Sequence, residues 1–260
     1  MLKSWDLTGK TALVCGASEG MGRASAEMMA ERGAQIIALS RTEENLKKMV
    51  QGLAGKGHQY FAIDLSDMNA VKDKLLPYLQ KQEIHILINN AGGPKGGLLH
   101  EAKVEEFLAP MQAHIFAAHL ITQTVLPAMK KAHYGRIVNI ISTSVKTPIP
   151  NLGISNTVRG AMASWSKTMA GELAAFGITV NNLLPGFIKT GRFDAIVQTS
   201  SKSQNISEEQ AAEQMRNYIP MKRIGEPSEV AEVISFLVSP AASYVTGTNI
   251  TVDGGRTPTL

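Results

Sequence analysis

"TALVCGASEGMGRA", Thr11–Ala24, is the stretch that decides the fold. Its first five residues are small or branched and mostly apolar, the pattern of a buried strand. Gly16, Gly20 and Gly22 follow, and helix-forming residues begin among them. A strand, a glycine-rich turn and a helix N-terminus in that order make a cradle for a phosphate. Glycines permit a tight turn and close backbone approach, and the free N–H groups of the helix present positive charge. The spacing is G-x-x-x-G-x-G rather than the G-x-G-x-x-G of the general dinucleotide fingerprint, so a plain turn is the competing reading.

Further strand-like runs are Gln35–Leu39, His58–Ile63, His85–Ile88, Gly135–Ile141, Gly177–Leu183 and Asn249–Val252. Helical patterns such as Ala24–Arg32 and Glu43–Leu53 lie between them. Alternation of this kind predicts an α/β, doubly wound parallel sheet with helices on both faces. No internal repeat or linker tract interrupts the chain, which reads as one domain over residues 1–260.

One segment breaks the rhythm. From about 187 to 224 the chain inserts many more residues than a strand-to-helix connection needs. Its middle, "TSSKSQNIS", is polar and turn-forming, and Ser207 with Gln210 has the form of a helix N-cap and its capping-box partner. A helical lid over a site is the functional reading, because ligands bind at the carboxyl ends of such strands; a surface decoration is the plain one.

Composition limits the classes of function. The 260 residues are 44% hydrophobic and 18% charged, which suits a globular fold. Cys15 is the single cysteine, so there is no internal disulfide and no cysteine-rich zinc site; no metal is expected. The net charge is +4, but the basic residues are scattered, as on a solvated surface, and no nucleic-acid partner is expected. "MLKSWDLTGK" lacks an apolar signal core, and no apolar run approaches membrane-spanning length. The expected location is cytoplasmic, with no membrane partner.

The second strand ends in Leu39-Ser40-Arg41. An acid there would hold a ribose 2′-OH, whereas a guanidinium suits a 2′-phosphate. An exposed strand-end arginine is the alternative, and Glu19 in the glycine turn argues mildly against a phosphate.

With the glycine turn, "NNAG" (Asn89–Gly92), "GRIVNI" before Ser142, "PGFIKT" (Pro185–Thr190) and "GTNITVDGG" (Gly247–Gly255), the chain resembles the short-chain dehydrogenase/reductase family from about Leu7 to Gly255. The resemblance implies a single Rossmann-type domain with seven parallel strands, a nicotinamide cofactor, a small-molecule substrate and a homotetramer or homodimer. It implies cofactor contacts from Gly16, Ser18, Glu19, Gly20, Met21 and Gly22 of the turn, and from Ser40 and Arg41. Asp64 and Leu65 would border the adenine, Asn90, Ala91 and Gly92 would line the cleft, and Pro185, Gly186, Ile188 and Thr190 would lie at the nicotinamide. NADP(H) is favoured by Arg41, with NAD(H) the alternative.

Members of the family transfer hydride with an Asn, a Ser and a Tyr-x-x-x-Lys pair. An unassisted tyrosine costs about 4 kcal/mol to ionise at pH 7, which the lysine offsets. Family spacing places these four at His114, Ser142, Ser155 and Arg159, so only the serine is retained. Ser155 is too short and too weak an acid to replace a tyrosine. Arg159 cannot shuttle a proton but can bond ribose hydroxyls or steady an oxyanion. His114 reads either as a proton relay near neutral pH or as a packed histidine, and Ser142 as a substrate donor or a strand-end hydroxyl. Tyr218, Lys146 and Lys95 are replacement donors to weigh, as is a water held by Ser142 and Arg159.

The pattern resembles a divergent branch of the family, similar to 3-oxoacyl-acyl-carrier-protein reductases. It implies an NADP(H)-dependent oxidoreductase reducing a carbonyl or conjugated-enone metabolite with atypical proton delivery. The alternatives are an ordinary 3-oxoacyl-acyl-carrier-protein reductase and a silent NADP-binding subunit or sensor.

Overall fold

The computed structural model describes residues 5–259. Seven strands form one sheet: β1 (Thr11–Cys15), β2 (Gln35–Ser40), β3 (Gln59–Ala62), β4 (Ile86–Asn89), β5 (Gly135–Ile140), β6 (Ile178–Pro185) and β7 (Asn249–Val252). Their order is β3-β2-β1-β4-β5-β6-β7, and every neighbouring pair is parallel. All seven expected strands are present. β6 runs two residues further than expected, because Pro185 still pairs with Val252 of β7.

The helices are α1 (Gly20–Glu31), α2 (Glu43–Gln51), α3 (68–79), α4 (Ala117–Ala132), α5 (Gly153–Leu173), α6 (Gly191–Gln204), α7 (Glu208–Asn217) and α8 (Pro227–Val238). Alternate strand residues face opposite layers. Ala12, Val14, Ile36, Ala38, Ile86 and Ile88 pack with Met29 of α1 and with Val230, Ile234 and Leu237 of α8. Leu13, Ile37, Leu39 and Leu87 pack with Leu75 of α3, Ile121 and Val125 of α4, and Met169 of α5. Burial on both faces is why these strands read as unbroken apolar runs. Each buried Leu or Ile side chain contributes about 1.5–3 kcal/mol.

β1 and β4 are neighbours although β2 and β3 separate them in the chain. The winding reverses between them, which opens a crevice at their carboxyl ends.

A row of polar side chains crosses the buried sheet beneath that crevice. Asn89 Nδ2 donates to Asn139 Oδ1 at 2.8 Å, and Asn139 Nδ2 donates to Asn182 Oδ1 at 3.1 Å. Asn182 Nδ2 then donates to Asn249 Oδ1 at 2.8 Å. Ser166 of α5 joins the row, accepting from Asn139 at 2.5 Å and donating to Asn182 at 2.6 Å. Every member pairs with the next strand, so the row locks the register of β4 to β7 and docks α5 on the sheet.

The segment between β6 and α8 holds α6 and α7. The polar middle expected to turn is instead helical as far as Gln204, and the break falls at Asn205, whose φ is +53°. Phe193, Val197 and Ala211 explain the difference: they form a small core of their own, with Phe187, Ile206 and Met215 against it. The Ser207 cap is present, with Ser207 Oγ accepting from Gln210 N at 3.1 Å and Gln210 Oε1 accepting from Ser207 N at 2.9 Å.

Candidate active site

The turn after β1 is shaped by three glycines in two ways. Gly16 (φ +62°) and Gly20 (φ +56°) adopt a left-handed backbone that L side chains resist. A Cβ on Gly16 would also lie 2.6 Å from Asn90 Nδ2 and 2.7 Å from Asn90 O. Gly22 constrains the turn through packing instead. It lies in the first turn of α1 against the carbonyl of Gly16, where a Cβ has no room.

Asn90 holds the turn across the β1/β4 crevice by donating from Nδ2 to Gly16 O at 3.3 Å. Ala17 N donates to Leu39 O at 3.0 Å, tying the same turn to β2. Ser18 is half-buried, Glu19 is exposed in an extended backbone, and Met21 packs towards the core. Thr190 closes the turn from the far side, its Cγ2 lying 3.1 Å from where a Cβ on Gly20 would be.

The loop carrying Thr190 is anchored at both ends. Gly186 N donates to Val252 O at 2.9 Å, and a Cβ on Gly186 would strike Asp253. Pro185 and Gly186 thus engage β7. Ile188 is buried and paired with Gly225, through Lys189 N to Gly225 O at 2.9 Å and Gly225 N to Phe187 O at 3.0 Å.

At the β2 end, Ser40 Oγ is buried without a partner and Arg41 is exposed. Asp64 accepts from Ser66 N at 2.9 Å and Ser66 Oγ at 2.7 Å. Partial burial would raise its carboxyl pKa, but those bonds and the nearby Arg41 charge hold it below the usual value. Leu65 lines the cleft with Asn90, Ala91, His114 and Ile141. Cys15 is buried at the end of β1, and burial pushes its thiol up to about 12.

On α5, Ser155 and Arg159 are one turn apart, and each is only 8% exposed. Arg159 Nη1 donates to Ile140 O at 2.9 Å and Nη2 to Ala91 O at 3.5 Å. Its Nε is buried with no partner. Burial, then the charge of Arg192, brings its pKa down to about 10, so it remains a cation at neutral pH. Ser142 is extended (φ −168°), and its Oγ accepts from Ser144 N at 3.0 Å, capping the short turn Thr143–Val145. The hydroxyl proton of Ser142 is left free to donate.

His114 lies in one wide turn, Gln112–Phe116, just before α4; such widened turns recur at functional sites. Its Nε2 is 3.0 Å from Gly92 O. A carbonyl can only accept, so Nε2 carries the proton. Burial, and then the Arg159 charge, lowers the imidazole pKa to about 3. At neutral pH the imidazole is therefore a neutral donor to Gly92 O, which fits the packed-histidine reading of the two. Among the replacement donors, Lys95 is exposed, Lys146 is half-buried and Tyr218 is 76% exposed.

Two features escaped the sequence reading. The asparagine row was signalled by Asn inside apolar strands, in "ILINN", "IVNII" and "VNNLL". Arg192, on the first turn of α6, donates from Nη2 to Pro94 O at 3.0 Å and so crosses to the loop after β4; no motif marked it.

The family described as enoyl-(acyl carrier protein) reductase matches residues 16–257. The 3-oxoacyl-(acyl-carrier-protein) reductase FabG of Thermotoga maritima is 36% identical over 255 residues, covering 96% of this chain and 98% of that one. The chain belongs to the short-chain dehydrogenase/reductase family of oxidoreductases. Two solved structures of the family share the fold closely. YwfH, an NADPH-dependent reductase involved in bacilysin biosynthesis, is 30% identical with a TM-score of 0.89, covering 96% of this chain and 99% of that one. L-sorbose reductase from Gluconobacter frateurii, complexed with NADPH and L-sorbose, is 27% identical with a TM-score of 0.91, covering 99% and 100%.

Proposed function

We propose that the protein is an NADPH-dependent reductase of a small carbonyl or conjugated-enone metabolite, and that it delivers the proton without a tyrosine. The observation that carries the reading is that Ser155 and Arg159, one turn apart on α5, are both buried, with Arg159 bonded to Ile140 O at the end of β5. By family spacing, the hydroxyl of Ser155 corresponds to the family's acid and the cation of Arg159 to its lysine.

The residues present fit a dinucleotide phosphate. The glycine turn, where neither Gly16 nor Gly22 has room for a Cβ, brings its backbone close to the N-terminus of α1. Ser40 Oγ lacks a partner, and Arg41 follows it with no acid at the end of β2, as a 2′-phosphate requires. The relatives named above as NADPH-dependent, or complexed with NADPH, support the same choice. Bound NADPH supplies the hydride.

The chain's own side chains do the rest. Arg159 offers its Nε–H to ribose hydroxyls, Ser142 donates its free proton to a substrate oxygen, and His114 holds the Gly92 loop. A water on Ser142 and Arg159 serves as proton source. Conjugate addition suits this face, because charge then develops on an oxygen remote from the carbon that accepts hydride. The segment 187–224 acts as a lid on a single domain, rooted at Thr190 against Gly20.

The second reading, a 3-oxoacyl-acyl-carrier-protein reductase, is favoured by the 36% identity to a protein of that name. The third is a silent NADP-binding subunit. Exposed Leu99, Val104, Leu108 and Phe116 leading into α4 support assembly as a homotetramer or homodimer. Among the described residues no helix is long and apolar enough to cross a membrane, and a cytoplasmic location is part of the proposal.

The experiment is titration with NADPH and NADH, with Arg41→Ala alongside, and then NADPH oxidation with a ketoacyl thioester and a conjugated enone. NADPH binds at least about tenfold tighter, as a charge-assisted contact implies, and Arg41→Ala removes most of the gap. Equal affinities break the cofactor assignment. Fast thioester reduction favours the second reading, and tight binding with no oxidation favours the third.

A further inference from the structure

Two guanidinium groups meet beside the cleft with no acid between them. A Cβ on Gly93 would lie 3.6 Å from Arg159 Nη2 and 3.6 Å from Arg192 Nη2, so the two reach towards one point above the loop after β4. Arg159 comes from α5 and is buried; Arg192 comes from the first turn of α6 and is exposed. Among the described residues, neither takes part in a salt bridge. Among the described residues Arg192 is bonded to Pro94 O alone, and Arg159 keeps Nη protons beyond those given to Ile140 O and Ala91 O.

Such an arrangement weakens the fold. A buried cation without a counter-ion is costly, and a second cation nearby adds repulsion. Charge kept unneutralised in a cleft marks a place for a ligand rather than for stability. Planar forks from two directions match an oxyanion, which can accept bonds from both. The point they share lies at Gly93, three residues beyond Asn90.

We propose that Arg159 and Arg192 form a carboxylate subsite, so that the substrate is a small carboxylic acid whose anion is clamped between α5 and α6 above Gly93. The inference rests on the reductase reading of the cleft and narrows its substrate class. It also separates this protein from reductases of acyl thioesters, whose reacting end bears no carboxylate. Because Arg192 opens the lid segment, the same anion draws α6 onto the cleft.

The test is calorimetric titration of the NADP⁺-saturated protein with acetate and benzoate, each against its neutral isostere, acetamide and benzamide. At least one carboxylate binds about tenfold or more tighter than its amide, as charge-assisted forks imply. Arg192→Gln brings that carboxylate to the level of the amide, and Arg192→Lys recovers part of the gap. Arg192 is exposed, so these variants fold. Their NADPH affinity, measured in parallel, stays within about twofold of the wild type, as expected for a surface change outside the cofactor site. Amides binding as well as carboxylates, no carboxylate binding, or no effect of Arg192→Gln would each overturn the subsite. An NADPH affinity that falls with Arg192→Gln as far as the carboxylate affinity does would assign the arginine to the cofactor, leaving the reductase reading intact. Wild-type protein that binds no NADPH would instead bring down the reductase reading itself.

Discussion

On the β1 side of the cleft the structure works by leaving atoms out: Gly16 and Gly22 lack a Cβ because Asn90 and the Gly16 carbonyl occupy its place. On the α5 side it works by holding atoms in, since Arg159 and His114 are buried and already bonded to Ile140, Ala91 and Gly92. The first kind of constraint supports folding and ligand binding together, because the same close contacts that shape the turn also hold β1 to β4. The second kind sets them in opposition. An unneutralised guanidinium in the interior costs stability and is useful only when something arrives to accept from it.

The largest expected effect comes from breaking one residue on each side. Gly22→Ala overpacks the turn, costing about 1–3 kcal/mol of stability, and NADPH binding falls with it. Arg159→Ala weakens NADPH by about 10–150-fold, the value of bonds to a charged group, and lowers the stability of the free protein less, because relief of the buried charge offsets the lost bonds to Ile140 O and Ala91 O. Denaturant midpoints and NADPH titrations on both variants check the contrast; parallel losses in Arg159→Ala would erase it.

A smaller effect comes from His114. Its imidazole titrates near 6.5 when unfolded and near 3 when folded, so between those values the unfolded chain binds more protons. Stability therefore rises with pH across that window and is fully present above it. His114→Gln keeps a donor for Gly92 O and flattens the slope, as denaturant midpoints between about pH 5 and pH 7 will show. An unchanged slope would mean that His114 is charged in the fold.

The smallest effect is expected at Ser155. Ser155→Ala changes NADPH affinity and turnover by less than about twofold, within the range of a substitution that removes no bonded partner. A loss of turnover with binding intact would make the serine a working proton donor.

How far the sequence foretold each side follows from the same contrast. Glycine spacing, the β-branched runs and the Ser207 cap act through local backbone rules, so the sheet, the glycine turn and the start of α7 were legible residue by residue. His114 was not, because its identity suits either a relay or a packed donor, and only its depth and the Arg159 charge decide. The "TSSKSQN" stretch misled because local turn preference was outweighed by Phe193 and Val197 packing on Ala211, a contact between separate helices. Arg192 was invisible for a similar reason: its meaning comes from Gly93 and Arg159, far away in the chain.

Cys15 has a practical consequence. It is the only thiol in the chain, it sits at the end of β1 with 1% of its surface exposed, and burial holds it almost wholly protonated. Alkylating and maleimide reagents react with thiolates they can reach, so the native chain presents them with no ready target. A cysteine introduced at exposed Ser203 on α6 would take a fluorophore at one position, with the background already silent. The molecule is thus ready, without removal of any native residue, for an optical test of the proposed lid motion of α6.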